Sequence, residues 1–410
     1  MPQAHASPTT KIDRGNDEQR ARRLQVHADN FPQRARVFLA AVLAAAVSIP
    51  FTVQANHLVI AITIDGKPAH ALFDTGGGNA VDPAFAKTLR LRTRSAGTAA
   101  GAGEGTVPLA ETHVRTLQFG SITMRDQNFA VLPLARSLTN GNDVGVDAIV
   151  GREILSRFVT RIDYDTQTLT FTPFEDFTYA GDGIAVPLAL GHGATVVRGE
   201  IDGLEGSFQV DTGSSASLIL TTPFVDSRDL RTKLHPVGNM IVGRGIGGYT
   251  RADLAFGKQL KIGSFTLNDL VLDLSTDTRG AFASHWIDGN LGNDVLCRMT
   301  LTIDEHRHMA YIERNSRTGV PTPSNHAGLY AQNDDRSYFS VVGVLANGPA
   351  YDAGLRAGDR IVAIDGMPAL EVTADAFWRL LRGPPGEMHR FTIERAGSIS
   401  TIDVTLRNIV

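Results

Sequence analysis

Through the middle of the chain, apolar residues either alternate with polar ones or run together for several positions, bounded by Gly, Asn and Asp. That spacing fits half-buried and fully buried strands rather than amphipathic helices. HLVIAITI (57–64), TLQFGSITM (116–124), FAVLPLA (129–135) and TLTFTPF (168–174) form one predicted set of strands. ATVVRGEI (194–201), FQVD (208–211), LKIGSFTL (260–267) and LTID (301–304) form a second. One short helix in each set fits GREILSRF (151–158) and GNDVLCRM (292–299).

The two sets are copies of one unit. Ile64-Asp65-Gly66 recurs as Ile201-Asp202-Gly203, and Asp74-Thr75-Gly76 as Asp211-Thr212-Gly213, both at an offset of 137. LQFGSITM returns as LKIGSFTL at an offset of 143, and Asp147-x3-Gly151-x3-Leu155-x7-Asp163 returns from Asp288 at 141. Four markers keep their order while the offset drifts by six residues, which identifies an internal duplication. The copies span roughly 50–177 and 178–316. Their strand content predicts a mostly β, bilobal structure with pseudo-two-fold symmetry.

Composition narrows the possibilities. A chain of 410 residues has room for two or three domains, and 42% hydrophobic against 20% charged residues is enough to build real cores. The net charge of −4, without a long basic run, argues against nucleic acid as the main partner. The single cysteine, Cys297, rules out an internal disulfide and a cysteine zinc cluster. Glycine is abundant, with 41 residues, as turn-rich β proteins require. Residues 1–36 are polar and of low complexity. The apolar run 37–49 follows Arg34 and Arg36 and reads as a secretory signal core, so the expected location is periplasmic or secreted. No stretch is long enough for a stable membrane span.

The duplicated tripeptides carry the candidate chemistry. Two carboxylates brought together across a symmetry axis share one proton, so one serves as general base and the other as general acid. Such a pair activates a water towards an amide carbonyl without metal or cofactor. Glycine after Asp-Thr lets backbone N–H groups reach the carboxylate, and the threonine hydroxyl can lock one loop to the other. The segments ALFDTG (71–76) and FQVDTGSS (208–215) resemble the active-site loops of retropepsin- and pepsin-like aspartic proteases. Ile149-Val150-Gly151-Arg152 resembles that family's hydrophobic-hydrophobic-glycine element. Asn290-Leu291-Gly292 fills the same place in copy two, with Asn290 departing from it. The resemblance covers about 50–316. It implies a bilobal β fold, water-mediated peptide hydrolysis, Asp74 and Asp211 as the catalytic dyad, and support from Thr75, Gly76, Thr212, Gly213 and Ser214. Two lobes in one chain mean that dimerisation is not required.

By the same resemblance, the glycine-rich segments 99–106 and 242–250 are flaps over a bound peptide, with Gly103, Gly105, Gly245, Gly247 and Tyr249 as substrate contacts. Gly243, Gly245 and Gly248 also match G-x-G-x-x-G, but strand-like sequence follows where a dinucleotide site needs a helix. Gly77 and Ser214 stand three residues after the two aspartates. A hydroxyl bond from Ser214 would keep Asp211 the more readily ionised and leave the proton on Asp74. Gly77→Ser is then expected to shift the acidic limb of the pH–rate profile.

Residues 317–325 read as a linker and 326–410 as a small α+β domain. YFSVVGVLANGPAYDAGLRAGDRIVAIDG (338–366) resembles a PDZ domain of the bacterial, protease-associated type. Gly328, Leu329 and Tyr330 occupy the place of the carboxylate-binding loop, and TADAFWRLL (373–381) that of the groove helix. The resemblance implies capture of a peptide C-terminus by strand addition. His306 and His308 share a strand face without further metal ligands nearby, and Trp286 and His285 are candidates for lining the cleft. The reading is therefore an aspartic endopeptidase that acts on a peptide or protein substrate. The rival is a non-catalytic peptide-binding scaffold using the same two modules.

Overall fold

The computed structural model describes residues 46–134, 145–333 and 337–410. The polar tail 1–36 and most of the apolar run, 37–45, lie outside the described residues. Three β-sheets account for the architecture.

The duplication is visible at the level of single turns. Hairpins His57–Ile64/Lys67–Asp74 and Ala194–Ile201/Leu204–Val210 each turn through an Asp-Gly pair with both φ values positive. That is the geometry matching the right-handed strand twist, and Asp-Gly adopts it at low cost. Asp65 then accepts a hydrogen bond from Thr116 N–H, as Asp202 does from Gln259 N–H, both at 2.8 Å. In each copy the strand ending at the Asp-Thr-Gly loop pairs in parallel with a short strand, Ala148–Gly151 or Gly289–Leu291. A four-residue helix follows each, Arg152–Leu155 and Asn293–Leu296.

The copies meet through antiparallel strands Phe158–Asp163 and Met299–Asp304. Arg161 pairs with Thr302, its own counterpart at the repeat offset of 141, so the pseudo-two-fold axis passes through that pair. One apolar core runs through both lobes, with Phe73, Phe119 and Phe171 on one side and Phe208 on the other fully buried. A separate core of Leu329, Phe339, Ile361, Phe377, Phe391 and Val404 organises the C-terminal sheet.

Two expectations are modified. Val47–Pro50, partly inside the segment read as a signal core, is a strand pairing with Thr168–Phe171. Ile49 is buried against the lobe core, so Val47–Pro50 is part of the folded sheet. Its β-branched Val47 and Ile49 suit a strand as well as an apolar core, which is why sequence alone did not separate the two. Residues 317–325 lack regular structure but do not hang free. The buried Arg298 guanidinium donates to Thr322 Oγ1 at 3.1 Å and to Asn268 O at 2.6 Å, and Thr322 N–H donates to Asp269 O at 2.9 Å. No helix among the described residues is long and apolar enough to cross a membrane.

Candidate active site

Asp74 and Asp211 end equivalent strands and face one another across the axis, hydrogen-bonded side chain to side chain. Gly76 N–H donates to Asp74 Oδ1 and Gly213 N–H to Asp211 Oδ1, each at 2.9 Å. The glycines are a steric requirement. A Cβ on Gly76 would lie 2.6 Å from the Asp211 carboxyl carbon, and one on Gly213 would overlap the Asp74 carboxyl.

Behind the carboxylates, the threonines lock the loops. Thr75 Oγ1 donates to Val210 O at 2.8 Å and accepts from Thr212 N–H at 3.0 Å. Thr212 Oγ1 donates to Phe73 O at 2.6 Å and accepts from Thr75 N–H at 3.0 Å. Both hydroxyls are buried and fully used, so each lobe holds the other's loop in register. Asn293 braces the second loop, donating to Thr212 O and to Asn56 O at 2.7 Å while accepting from Tyr164 OH at 2.7 Å.

The dyad is electrostatically uneven. Burial, then the neighbouring Asp211 charge, pushes Asp74 well above the carboxylate range. Burial also raises Asp211, but the Asn290 amide, the bond from Asp74 and the Gly213 and Ser214 N–H groups oppose it. Asp74 is thus the member pushed further towards its protonated form. Sequence expects Ser214 to be the donor to Asp211, and the structure supplies a different one. Ser214 Oγ accepts a 3.4 Å bond from Ala216 N–H, whereas Asn290 Nδ2 donates to Asp211 Oδ2 at 2.6 Å. Nor would a serine at 77 simply mirror Ser214, because a Cβ there would stand 2.9 Å from the Asp74 carboxyl carbon and displace it.

Above the dyad lies a cleft of about 510 Å³. Ala80, Leu109, Leu132 and Ile149 line one side, and Ile219, Val242, Phe282 and Trp286 the other. Trp286 reaches this cleft, and His285 is not among the lining residues. The two glycine-rich hairpin tips interlock over the cleft: Gly103 N–H donates to Ile246 O at 2.9 Å and Gly105 N–H to Gly247 O at 2.8 Å. The Glu104 carboxylate accepts from Thr278 N–H at 2.6 Å and Thr278 Oγ1 at 2.8 Å, and these bonds hold its pKa down. Gly243, Gly245 and Gly248 lie on the paired strands Gly238–Gly245 and Gly248–Ile262, which is a hairpin and not a phosphate loop.

Sequence reasoning missed His57, which lines the cleft beside Gly213 of the second loop. Burial lowers its pKa to about 4, so it is neutral. A lone histidine opening an otherwise apolar strand was its only signal. Tyr249 is a correction: it is not among the cleft-lining residues, and its hydroxyl accepts from Gln332 Nε2 of the C-terminal sheet at 2.7 Å. Arg244, which does line the cleft, donates to Gln332 Oε1 at 3.0 Å.

The C-terminal sheet packs its edge strand Leu329–Gln332 against the base of the second flap. Leu329 is core, and Tyr330 packs with Met240, Ile241, Leu254 and Leu345. Gly328 adopts φ +61° beneath Leu345 and Ile409, and its N–H donates to Asn325 Oδ1 at 3.1 Å. Of the three residues expected to receive a peptide, Leu329 is thus covered by the C-terminal domain's own core and Tyr330 by apolar residues of the second lobe, which sequence could not reveal. On the groove helix Ala374–Leu381, Trp378 edges onto Tyr330, and the following Arg382 forms a two-pronged bond with Asp294 at 3.1 and 2.8 Å. The space left here is about 70 Å³.

Asp273 is buried beside this ion pair. Burial and the Asp294 charge raise its pKa to about 7, against the pull of Arg382. Its folded value lies above the ordinary 3.8, so its favourable contribution is complete below about pH 4 and is lost as pH rises through about 7. Asp273→Asn is expected to stabilise the protein at pH 8 by up to about 4 kcal/mol and to be nearly neutral at pH 3.5. Urea melts at both pH values measure this; an equal effect at both would remove ionisation as the cause.

The aspartyl protease family model matches residues 60–154 and 197–295, one stretch in each lobe, and a PDZ domain model matches 340–395. The chain is an aspartic-protease-like protein with a C-terminal PDZ domain. The aspartic proteinase from Irpex lacteus is structurally similar at 15% identity and a TM-score of 0.43, covering 68% of this chain and 100% of that one. No curated protein matches. Among the described residues of this aspartic-protease-like chain, no group of three or more His, Cys, Asp or Glu could hold a metal ion.

Proposed function

We propose that the protein is an aspartic endopeptidase that binds an extended peptide between its lobes, with Asp74 and Asp211 as the catalytic pair. The observation that carries this reading is the pair itself: two buried carboxyl groups hydrogen-bonded across the pseudo-two-fold axis on the floor of a closed, largely apolar cleft. In the proposed reaction a water sits between the carboxyl groups. Asp211, the ionised member, takes a proton from it as the oxygen attacks the scissile carbonyl carbon. Asp74 gives its proton to the carbonyl oxygen, forming a neutral tetrahedral diol. Asp211 then returns a proton to the amide nitrogen as the C–N bond breaks, and the diol proton goes back to Asp74. Each step needs one protonated and one ionised carboxyl, so activity should be bell-shaped in pH.

The interlocked flaps exclude water from the reacting atoms but must separate for a peptide to enter. The PDZ domain would recognise a peptide C-terminus by strand addition beside Leu329–Gln332. That requires moving Trp378 and Tyr330 off the second lobe.

Incubating the full chain with a mixed peptide library between pH 3 and pH 8, with mass-spectrometric readout, tests the reading. Cleavage with a bell-shaped profile is expected. Absence of cleavage throughout that range, with peptide still bound, would favour the non-catalytic binding scaffold instead.

A further inference from the structure

The duplication provides an internal control for the dyad, because each residue around one aspartate has a counterpart around the other. The inner oxygens are treated alike, each accepting one glycine N–H at 2.9 Å. The threonines exchange equivalent bonds. The outer oxygens are not treated alike. Asp211 Oδ2 accepts the Asn290 amide at 2.6 Å. The counterpart of Asn290 at the repeat offset is Ile149, which pairs with Leu72 and Ala80 in the first lobe and has no donor to offer.

Asn290 owes its position to the fold. It lies on Gly289–Leu291, opposite Gln209 on one side and Ile219 on the other, and is buried on the cleft wall. An amide buried there, where the first lobe has an aliphatic side chain, needs a polar partner to offset its desolvation. The carboxylate is that partner for Nδ2, while Oδ1 has none among the described residues, and a bond to an ionised acceptor is among the stronger kinds.

We infer that Asn290 is the positioning residue that sets the polarity of the dyad, holding Asp211 as the carboxylate and so assigning the shared proton to Asp74. The charged and titratable neighbours are few. Asp74 faces Asp211 directly, and His57 stands beside the same loop at Gly213. The remaining contacts to Asp211 are backbone N–H groups that the first lobe also provides to Asp74. Gln209 and His57, whose counterparts are Leu72 and Ala194, also differ between the copies, but among the described residues Asn290 is the neutral side chain bonded to a carboxylate of the pair. Its consequence for the proposed reaction, on which the kinetic part of the inference rests, is a fixed division of labour: Asp211 deprotonates water and Asp74 protonates the carbonyl oxygen.

The test uses the full chain as wild type, Asn290→Leu and Asn290→Ala. The aspartate carboxyl carbons are followed by 13C NMR against pH, and peptide cleavage is followed in parallel. The expected result is a rise of the lower dyad pKa by about one to two pH units in both variants, with the acidic limb of kcat/KM moving up by the same amount. A purely structural role would instead scale the whole profile down without moving the limb. An unmoved lower pKa in either folded variant overturns the inference. The readouts separate two failures: a shifted NMR titration in a protein that cleaves nothing leaves Asn290 in its role and rejects the peptidase reading.

Discussion

Replacing Asp74 or Asp211 with Asn is expected to lower peptide cleavage by at least about a thousand-fold, with each variant folded. Asparagine keeps the shape of the side chain. The inner oxygen can still accept the Gly76 or Gly213 N–H, and the four threonine bonds behind the loops do not involve the carboxylates. What is lost is the proton inventory. Asp211→Asn removes the base that activates water, and Asp74→Asn removes the acid that protonates the carbonyl oxygen. Because desolvation is the largest influence on both groups, putting a neutral amide in place of either carboxyl group should leave thermal stability at neutral pH unchanged or raised. Cleavage rates at the pH optimum and circular-dichroism melts measure the two effects. Cleavage that survives in both variants would reject the dyad.

Arg382→Ala is expected to destabilise the docked C-terminal domain by about 3 to 5 kcal/mol at pH 8. Asp294 is buried, and its oxygens are satisfied by Arg382 and by Asn56 Nδ2 at 2.8 Å. Without the guanidinium, a buried carboxylate would sit beside Asp273 with no cation. Protonation relieves both acids, so the penalty should shrink at pH 4. Urea melts at the two pH values, together with proteolysis rates in 317–325, measure this. A loss of the same size at both would mean that Arg382 acts by packing on Trp378 rather than by charge.

Much of this arrangement is legible in the residue order because duplication repeats identity at a near-constant offset. Asp74 and Asp211, with their threonines and glycines, stand out since the same tripeptide occupies the same place in both copies. The strand pattern and the Asp-Gly turns are equally local. Tyr249 was misplaced because a flap position does not say which face a side chain presents, and its partner Gln332 lies 83 residues away. Asn290 was visible as a departure from an apolar element, but its meaning depended on the parallel pairing of 208–210 with 289–291.

The two β lobes, the paired Asp-Thr-Gly loops and the separate C-terminal domain are already readable in the order of residues. Those follow from periodicity, turn chemistry and repetition, all of which are written locally. Three things rest on the packed fold alone: which donor reaches Asp211, which strand covers the edge of the C-terminal sheet, and that Arg382 is tied to Asp294. These depend on contacts between residues 79 to 88 positions apart, chosen by how whole strands register and pack, and no local pattern encodes that distance.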